Sequence, residues 1–170
     1  MASPIPPLNW HSQTTDEAVV EIVRLGEAQL EDQLAAAIAS DARAINQASI
    51  FAAMSGGLGA GAIAVAQMSS PARHIVAGLA IAAALTLIGS FVSRHAAKPI
   101  DFYPRGYRPA KLAAFAQDPA QIRKWVAEDI NCRLLDNQGS MVRSARLLAT
   151  GFWMSAIGLF VGLSLALIGP

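Results

Sequence analysis

The chain predicts an all-α integral membrane protein: three transmembrane helices, two of them continuous with long helices that form a cytoplasmic helical module. Three observations carry that expectation. The last 24 residues, 147–170, hold no charged side chain. Residues 44–72 are likewise uncharged, and a third apolar stretch, 75–92, lies between Arg73 and Arg94. A bilayer core about 30 Å thick asks for roughly 20 mostly apolar residues in helical form. A soluble core helix can explain one such stretch; it explains three poorly. The spans leave room for one modest module outside the lipid.

Taken in order, residues 1–15 read as a loose arm with Pro4, Pro6 and Pro7, able to rest on the module through Leu8 and Trp10. They contain no Lys or Arg and no apolar h-region, so a signal peptide is not expected. Residues 16–49 predict a cytoplasmic helix opened by a T-x-x-E capping box at Thr14–Glu17. After Val19, apolar residues recur at helical spacing at Val23, Leu30, Leu34, Ile38 and Ile45. No proline intervenes before Pro71, so this helix should run on into the first span, 50–68, giving about 50 residues and roughly 75 Å. Gly26 is its weak point. Within the span, Gly57 and Gly61 form a G-x-x-x-G pair, with Ala60 and Ala64 nearby. Small residues let a neighbouring helix approach when lipid removes the hydrophobic drive.

Ser70 as N-cap and Pro71 at the first helical position predict a sharp restart and a second span over 71–93. Residues 94–117 follow as a loop, because Pro99, Pro104, Gly106 and Pro109 disfavour a long helix. Phe102, Tyr103 and Tyr107 fit rings at the headgroup level, and Arg105 and Arg108 fit cations toward lipid phosphate or a phosphate-bearing ligand. A second cytoplasmic helix, 118–146, opens with Asp118, Pro119 and Gln121. Its apolar positions are Ile122, Val126, Ile130, Leu134 and Met141, and it should continue into the third span, 147–168. That span carries a second G-x-x-x-G at Gly158 and Gly162, and Trp153 where an interfacial anchor could sit. Ser155 and Ser164 can return hydrogen bonds to their own backbone.

Charge is divided along the chain. Residues 1–41 hold seven acids against Arg24 alone, −6, whereas residues 94–146 hold ten Lys and Arg against five acids, +5. The two long helices travel the same way, so their acidic and basic surfaces can pair side by side. The basic residues near span ends are Arg94, Lys98, Arg143 and Arg146, against Arg73 in the first hairpin. The positive-inside rule then places the N-terminus in the cytoplasm and the C-terminus outside. No nucleic-acid motif is present.

Reactive groups are sparse. Cys132 is the only cysteine, which excludes an internal disulfide and suggests a small buried apolar position. His11, His74 and His95 are scattered, with His74 and His95 expected on opposite membrane faces, so no metal site is expected. Gly56–Gly61 lacks a Walker lysine and lies within a span. An enzyme and a cofactor are therefore not expected. No acid or base lies well inside a span, which argues against a monomeric transporter. Polar groups gather at two cytoplasmic mouths: Asp41, Arg43, Asn46 and Gln47 before the first span; Asn131, Asp136, Asn137, Gln138, Arg143 and Arg146 before the third. Asp41 and Arg43 do not face each other on one helix, so each needs another partner. Arg143 and Arg146, three apart, share a face and could meet Asp41 or lipid phosphate.

Ser40-Asp41-Ala42-Arg43-Ala44 before the first span, a short hairpin, Pro104-Arg105, and a final helix carrying Glu128 through Asn137 into the third span resemble small bacterial Pycsar-effector-like membrane proteins. The resemblance covers most of residues 30–168. Those proteins have an A-D-x-K-A-like segment; this chain has Ser40 before Asp41, and Arg43 in place of lysine. What the resemblance implies is an inner-membrane antiphage effector, triggered by a cyclic pyrimidine nucleotide and acting by oligomeric rearrangement. Asp41 and Arg43 would then belong to the sensing or coupling region. The competing expectation is a non-catalytic structural subunit or assembly factor of a larger membrane complex. Membrane lipid and a homo-oligomer or unlike membrane partner are the expected associates.

Overall fold

The computed structural model describes residues 15–97, Tyr103 and residues 119–168. These residues form three helices: α1 (Asp16–Ala66, 51 residues), α2 (Arg73–Ala96, 24 residues) and α3 (Pro119–Ile168, 50 residues). Each is long and apolar enough to cross a membrane, with 18-residue windows of mean hydropathy 1.6, 2.4 and 2.0. Only 22, 28 and 22% of those windows is buried, so most of this apolar surface is not used inside the fold. Phe160, Leu167 and Ile168 are each more than 70% exposed. A water-soluble domain rarely leaves so much contiguous apolar surface open.

The helix starts differ in detail from those expected. The cap of α1 is Thr15, whose carbonyl accepts from Val19 N–H at 3.0 Å and whose Oγ1 accepts a long bond from Ala18 N–H at 3.4 Å. With Thr15 at the cap, Ala18 takes the position a reciprocating glutamate needs, and Thr14, the cap of the expected box, lies outside the described residues. At α2, Ala72 rather than Ser70 is the cap, with ψ of 93° and no side-chain cap bond. Its carbonyl receives Ile75 and Val76 N–H, so Pro71 stands before the helix instead of inside its first turn. α3 begins at Pro119 as expected, where the missing N–H costs nothing.

The chain divides into two compact units, residues 1–36 with 101–139 and residues 37–100 with 140–170; α1 and α3 each contribute to both. In the first unit, α1 and α3 run parallel. Asp16 pairs with Arg123 at 2.9 Å, and farther along Gln33 Nε2 donates to the Leu134 carbonyl at 3.2 Å. Between them, Leu30, Val126 and Ile130 form a buried cluster, flanked by Val23, Ile122, Trp125 and Leu134. The acidic and basic surfaces therefore do meet at Asp16 and Arg123. Gly26 does not break α1: it lies against Ile130, whose Cγ2 would be 2.5 Å from an added Cβ. Ile38 and Ile45, expected on the apolar stripe, are instead 63 and 55% exposed. The stripe that packs continues through Ala44 and Ala48, which are small enough to sit at a tight contact. Cys132 is also exposed rather than buried.

Candidate functional site

The second unit holds the feature that the sequence singles out, the glycine faces, and it treats them unequally. α2 packs antiparallel on α3 along a seam of small residues. A Cβ at Gly162 would stand 2.5 Å from the Gly78 carbonyl oxygen and 2.6 Å from Ala82 Cβ. At Gly158 it would meet Leu85 Cβ at 2.5 Å, and at Gly151 the Gly89 carbonyl oxygen at 2.8 Å. Gly78 and Gly89 present the same restriction from the α2 side. Backbones this close exclude any side chain, which is how helices gain van der Waals contact where hydrophobic burial contributes little.

The α1 pair behaves otherwise. Nothing lies within 4 Å of a Cβ placed at Gly56, Gly57 or Gly59, and Gly61 meets only Leu79 Cδ1 at an ordinary 3.7 Å. The G-x-x-x-G of α3 is filled by α2; that of α1 is open at Gly57.

Hydroxyl and amide groups tie α1 to the other two helices. Ser55 Oγ donates to the Ala83 carbonyl at 2.8 Å, and Ser90 Oγ donates to the Ala48 carbonyl at 2.7 Å, so each helix supplies one donor to the other. Gln47 Nε2 donates to Ser93 Oγ and to the Leu148 carbonyl, both at 3.0 Å, and thereby touches all three helices. Ser93 in turn donates to the Gly89 carbonyl, Thr86 to Ala82 and Ser155 to Gly151, each one turn back on its own helix. The return bond from Ser155 is the one its place in the span implied. Gln47 was legible only as a polar residue at the span mouth. Its two partners, a serine and a backbone carbonyl on other helices, leave no mark in the local pattern.

The expected charged candidates are not brought together. Asp41 is half-buried, while Arg43, Arg143 and Arg146 are exposed. Among the described residues no ion pair joins Asp41 to either α3 arginine. Ala44 and Ser144 hold the buried side of α1 and α3 at this level, which turns the arginines outward. Arg105, Arg108, Phe102 and Tyr107 lie outside the described residues. Trp153 is 63% exposed and edge-on to Phe152, with ring centroids 5.7 Å apart.

Tyr103 belongs to the first unit and is held there by α3. Its N–H donates to Asn137 Oδ1 at 3.1 Å, and its carbonyl accepts from Asn137 Nδ2 at 3.3 Å. The Arg133 guanidinium carbon sits 5.8 Å from its ring centroid, within cation–π range. Asn137, only 1% exposed, thus acts as a side-chain mimic of a strand partner, reading both polar groups of one backbone residue. Arg133 also lies 2.6 Å from Asp129, one turn earlier.

No family model, curated protein or solved structure matches the chain.

Among the described residues no group of three or more His, Cys, Asp and Glu is placed to hold a metal. The built features are packing surfaces, one closed and one open, with a glutamine joining three helices beside them.

Proposed function

We propose that this protein is a three-span membrane protein that works as a signalling or effector component through oligomeric helix packing, with the Gly57 face of α1 receiving a second copy of the chain. The observation that carries this reading is the contrast within one unit: Gly151, Gly158 and Gly162 of α3 are packed against α2, whereas Gly56, Gly57 and Gly59 have nothing within 4 Å of an added Cβ. The exposed apolar windows of all three helices support a lipid surround. The Lys and Arg distribution supports a cytoplasmic N-terminus and an outside C-terminus. The resemblance to Pycsar-effector-like proteins supplies the trigger, a cyclic pyrimidine nucleotide, with Asp41 and Arg43 in the responding segment. Membrane impairment then follows from a change in how subunits pack.

The test is controlled expression in bacteria carrying a membrane-potential dye, with and without a cyclic pyrimidine nucleotide. Nucleotide-dependent depolarisation that disappears in Arg43→Gln and in Gly57→Leu is the expected result. Depolarisation that occurs equally without the nucleotide and is lost in Gly57→Leu keeps the packing mechanism and removes the nucleotide. A steady potential throughout, with stable co-purification of an unlike membrane protein, replaces the effector by a structural subunit.

A further inference from the structure

We propose that a groove between α1 and α2 binds an anionic glycerophospholipid, with an acyl chain along its floor and the phosphate at Arg94. The proposal rests on the membrane reading above and adds a lipid class and a site to it. The groove encloses about 670 Å³, within the roughly 300–1,000 Å³ of small-molecule sites. Ile45, Ala48 and Ala52 supply its α1 wall and Phe91 its α2 wall, so the greater part is apolar.

Two hydroxyls also line it, yet neither has a proton to offer. Ser49 Oγ donates to the Ile45 carbonyl at 2.9 Å, and Ser90 Oγ to the Ala48 carbonyl at 2.7 Å. The donors left to meet a ligand are those of Arg94 and His95, which form the last turn of α2 at one end of the groove. Arg94 is exposed and makes no ion pair among the described residues. No Asp or Glu stands among the described lining residues.

The carbonyls ending α2 carry about half a negative charge, and the full charge of Arg94 outweighs it. An apolar floor with a cationic end matches the two halves of an anionic phospholipid. A free phosphate would use only Arg94 and leave the floor empty. A zwitterionic lipid would bring its own cation to the same end.

The experiment uses the full chain in mixed phosphatidylcholine–phosphatidylglycerol bilayers, followed by native mass spectrometry of the lipids it retains. The wild type should retain phosphatidylglycerol over phosphatidylcholine. Arg94→Gln should lower that preference about fivefold, the factor that one basic side chain near an anionic lipid surface supplies. Ala52→Phe, which fills the floor, should reduce retention of both lipids. Arg73→Gln, at the other end of α2, and excess inorganic phosphate should change nothing. Equal retention of the two lipids by the wild type overturns the site. So does an equal loss in Arg94→Gln and Arg73→Gln, or displacement by inorganic phosphate. Flotation with the same vesicles separates the two levels. A chain that floats without lipid preference removes this site alone, and a chain that does not float removes the membrane reading with it.

Discussion

Gly57 and Gly162 occupy the same sequence pattern, each one half of a G-x-x-x-G in an uncharged stretch of helix, and their surroundings are opposite. Gly162 faces a backbone carbonyl at a distance that forbids a methyl group; Gly57 faces nothing within 4 Å. The pattern reports only that a helix has a groove of small residues. What fills the groove is decided by the register of the partner. α2 supplies Gly78, Ala82 and Gly89 at matching intervals to α3, and toward α1 it presents hydroxyl-to-carbonyl bonds instead of glycine contacts. A closed face holds one chain together, and an open face is free to hold two.

Substitutions that fill or empty these contacts sharpen the contrast. The largest effect is expected from Gly162→Leu, because the obstructing atoms belong to the Gly78 backbone and cannot rotate away. Packing of α2 on α3 should be lost outright. A pair of cysteines placed across that seam, in a Cys132→Ser background, should no longer cross-link; retained cross-linking would show that the seam yields.

Next comes Leu30→Ala in the first unit, where the side chain is 1% exposed amid Val126 and Ile130. The cost should be about 2–3 kcal/mol in denaturant titration followed by circular dichroism, the lower range for a leucine cavity. A change under about 1 kcal/mol would mean the cluster collapses around the gap. Because this core is aliphatic and the α2–α3 seam is glycine, the pair of variants separates the two ways of holding helices.

Gln47→Leu removes two hydrogen bonds and leaves the Leu148 carbonyl without that donor. About 1 kcal/mol is the expected loss, in line with interhelical hydrogen bonds in membranes. Retention of full stability would leave Ser55 and Ser90 as the hydrogen bonds that hold α1 within the second unit.

The smallest effect is at Glu21, whose carboxylate is held below its usual range by the hydrogen bond from Arg24 and by that arginine's charge. A folded pKa below the unfolded one adds stability above the unfolded value, and it is lost as pH falls through the folded one. Both groups are solvent-exposed, so Glu21→Gln should leave the unfolding midpoint unchanged at neutral pH and in acid. A measurable acid-side shift would reveal a partner beyond Arg24.

The three helices were readable because span length and the absence of charge are local properties, visible at residues 147–168 as at 50–68. The parallel course of α1 and α3 was readable from both running the same way, and opposed charge suggested their pairing, which Asp16 and Arg123 make at one point in the first unit. Helix starts were misplaced by one or two residues, since Thr14 and Thr15, or Ser70 and Ala72, differ only in which carbonyl closes the first turn. Ile38 and Ile45 misled because helical spacing marks a stripe without saying that alanines will take the tight positions. Gln47 and Asn137 were visible as polar residues near a span, but their partners sit 101 and 34 residues away. Gly78, Gly89 and Gly151 lie outside any G-x-x-x-G pair, so the longer seam they build with Gly158 and Gly162 had no motif to announce it.

The most direct measurement is energy transfer between donor- and acceptor-labelled copies of the full chain in lipid vesicles, comparing wild type with Gly57→Leu at matched density. Leucine in place of an exposed helical glycine removes a penalty of about 1 kcal/mol, so the variant's own fold should be as stable as the wild type or slightly more so. Transfer in the wild type that falls to the level of random encounter in Gly57→Leu, with that stability kept, is the predicted result. Equal transfer in both chains would contradict a second copy on the open face of α1.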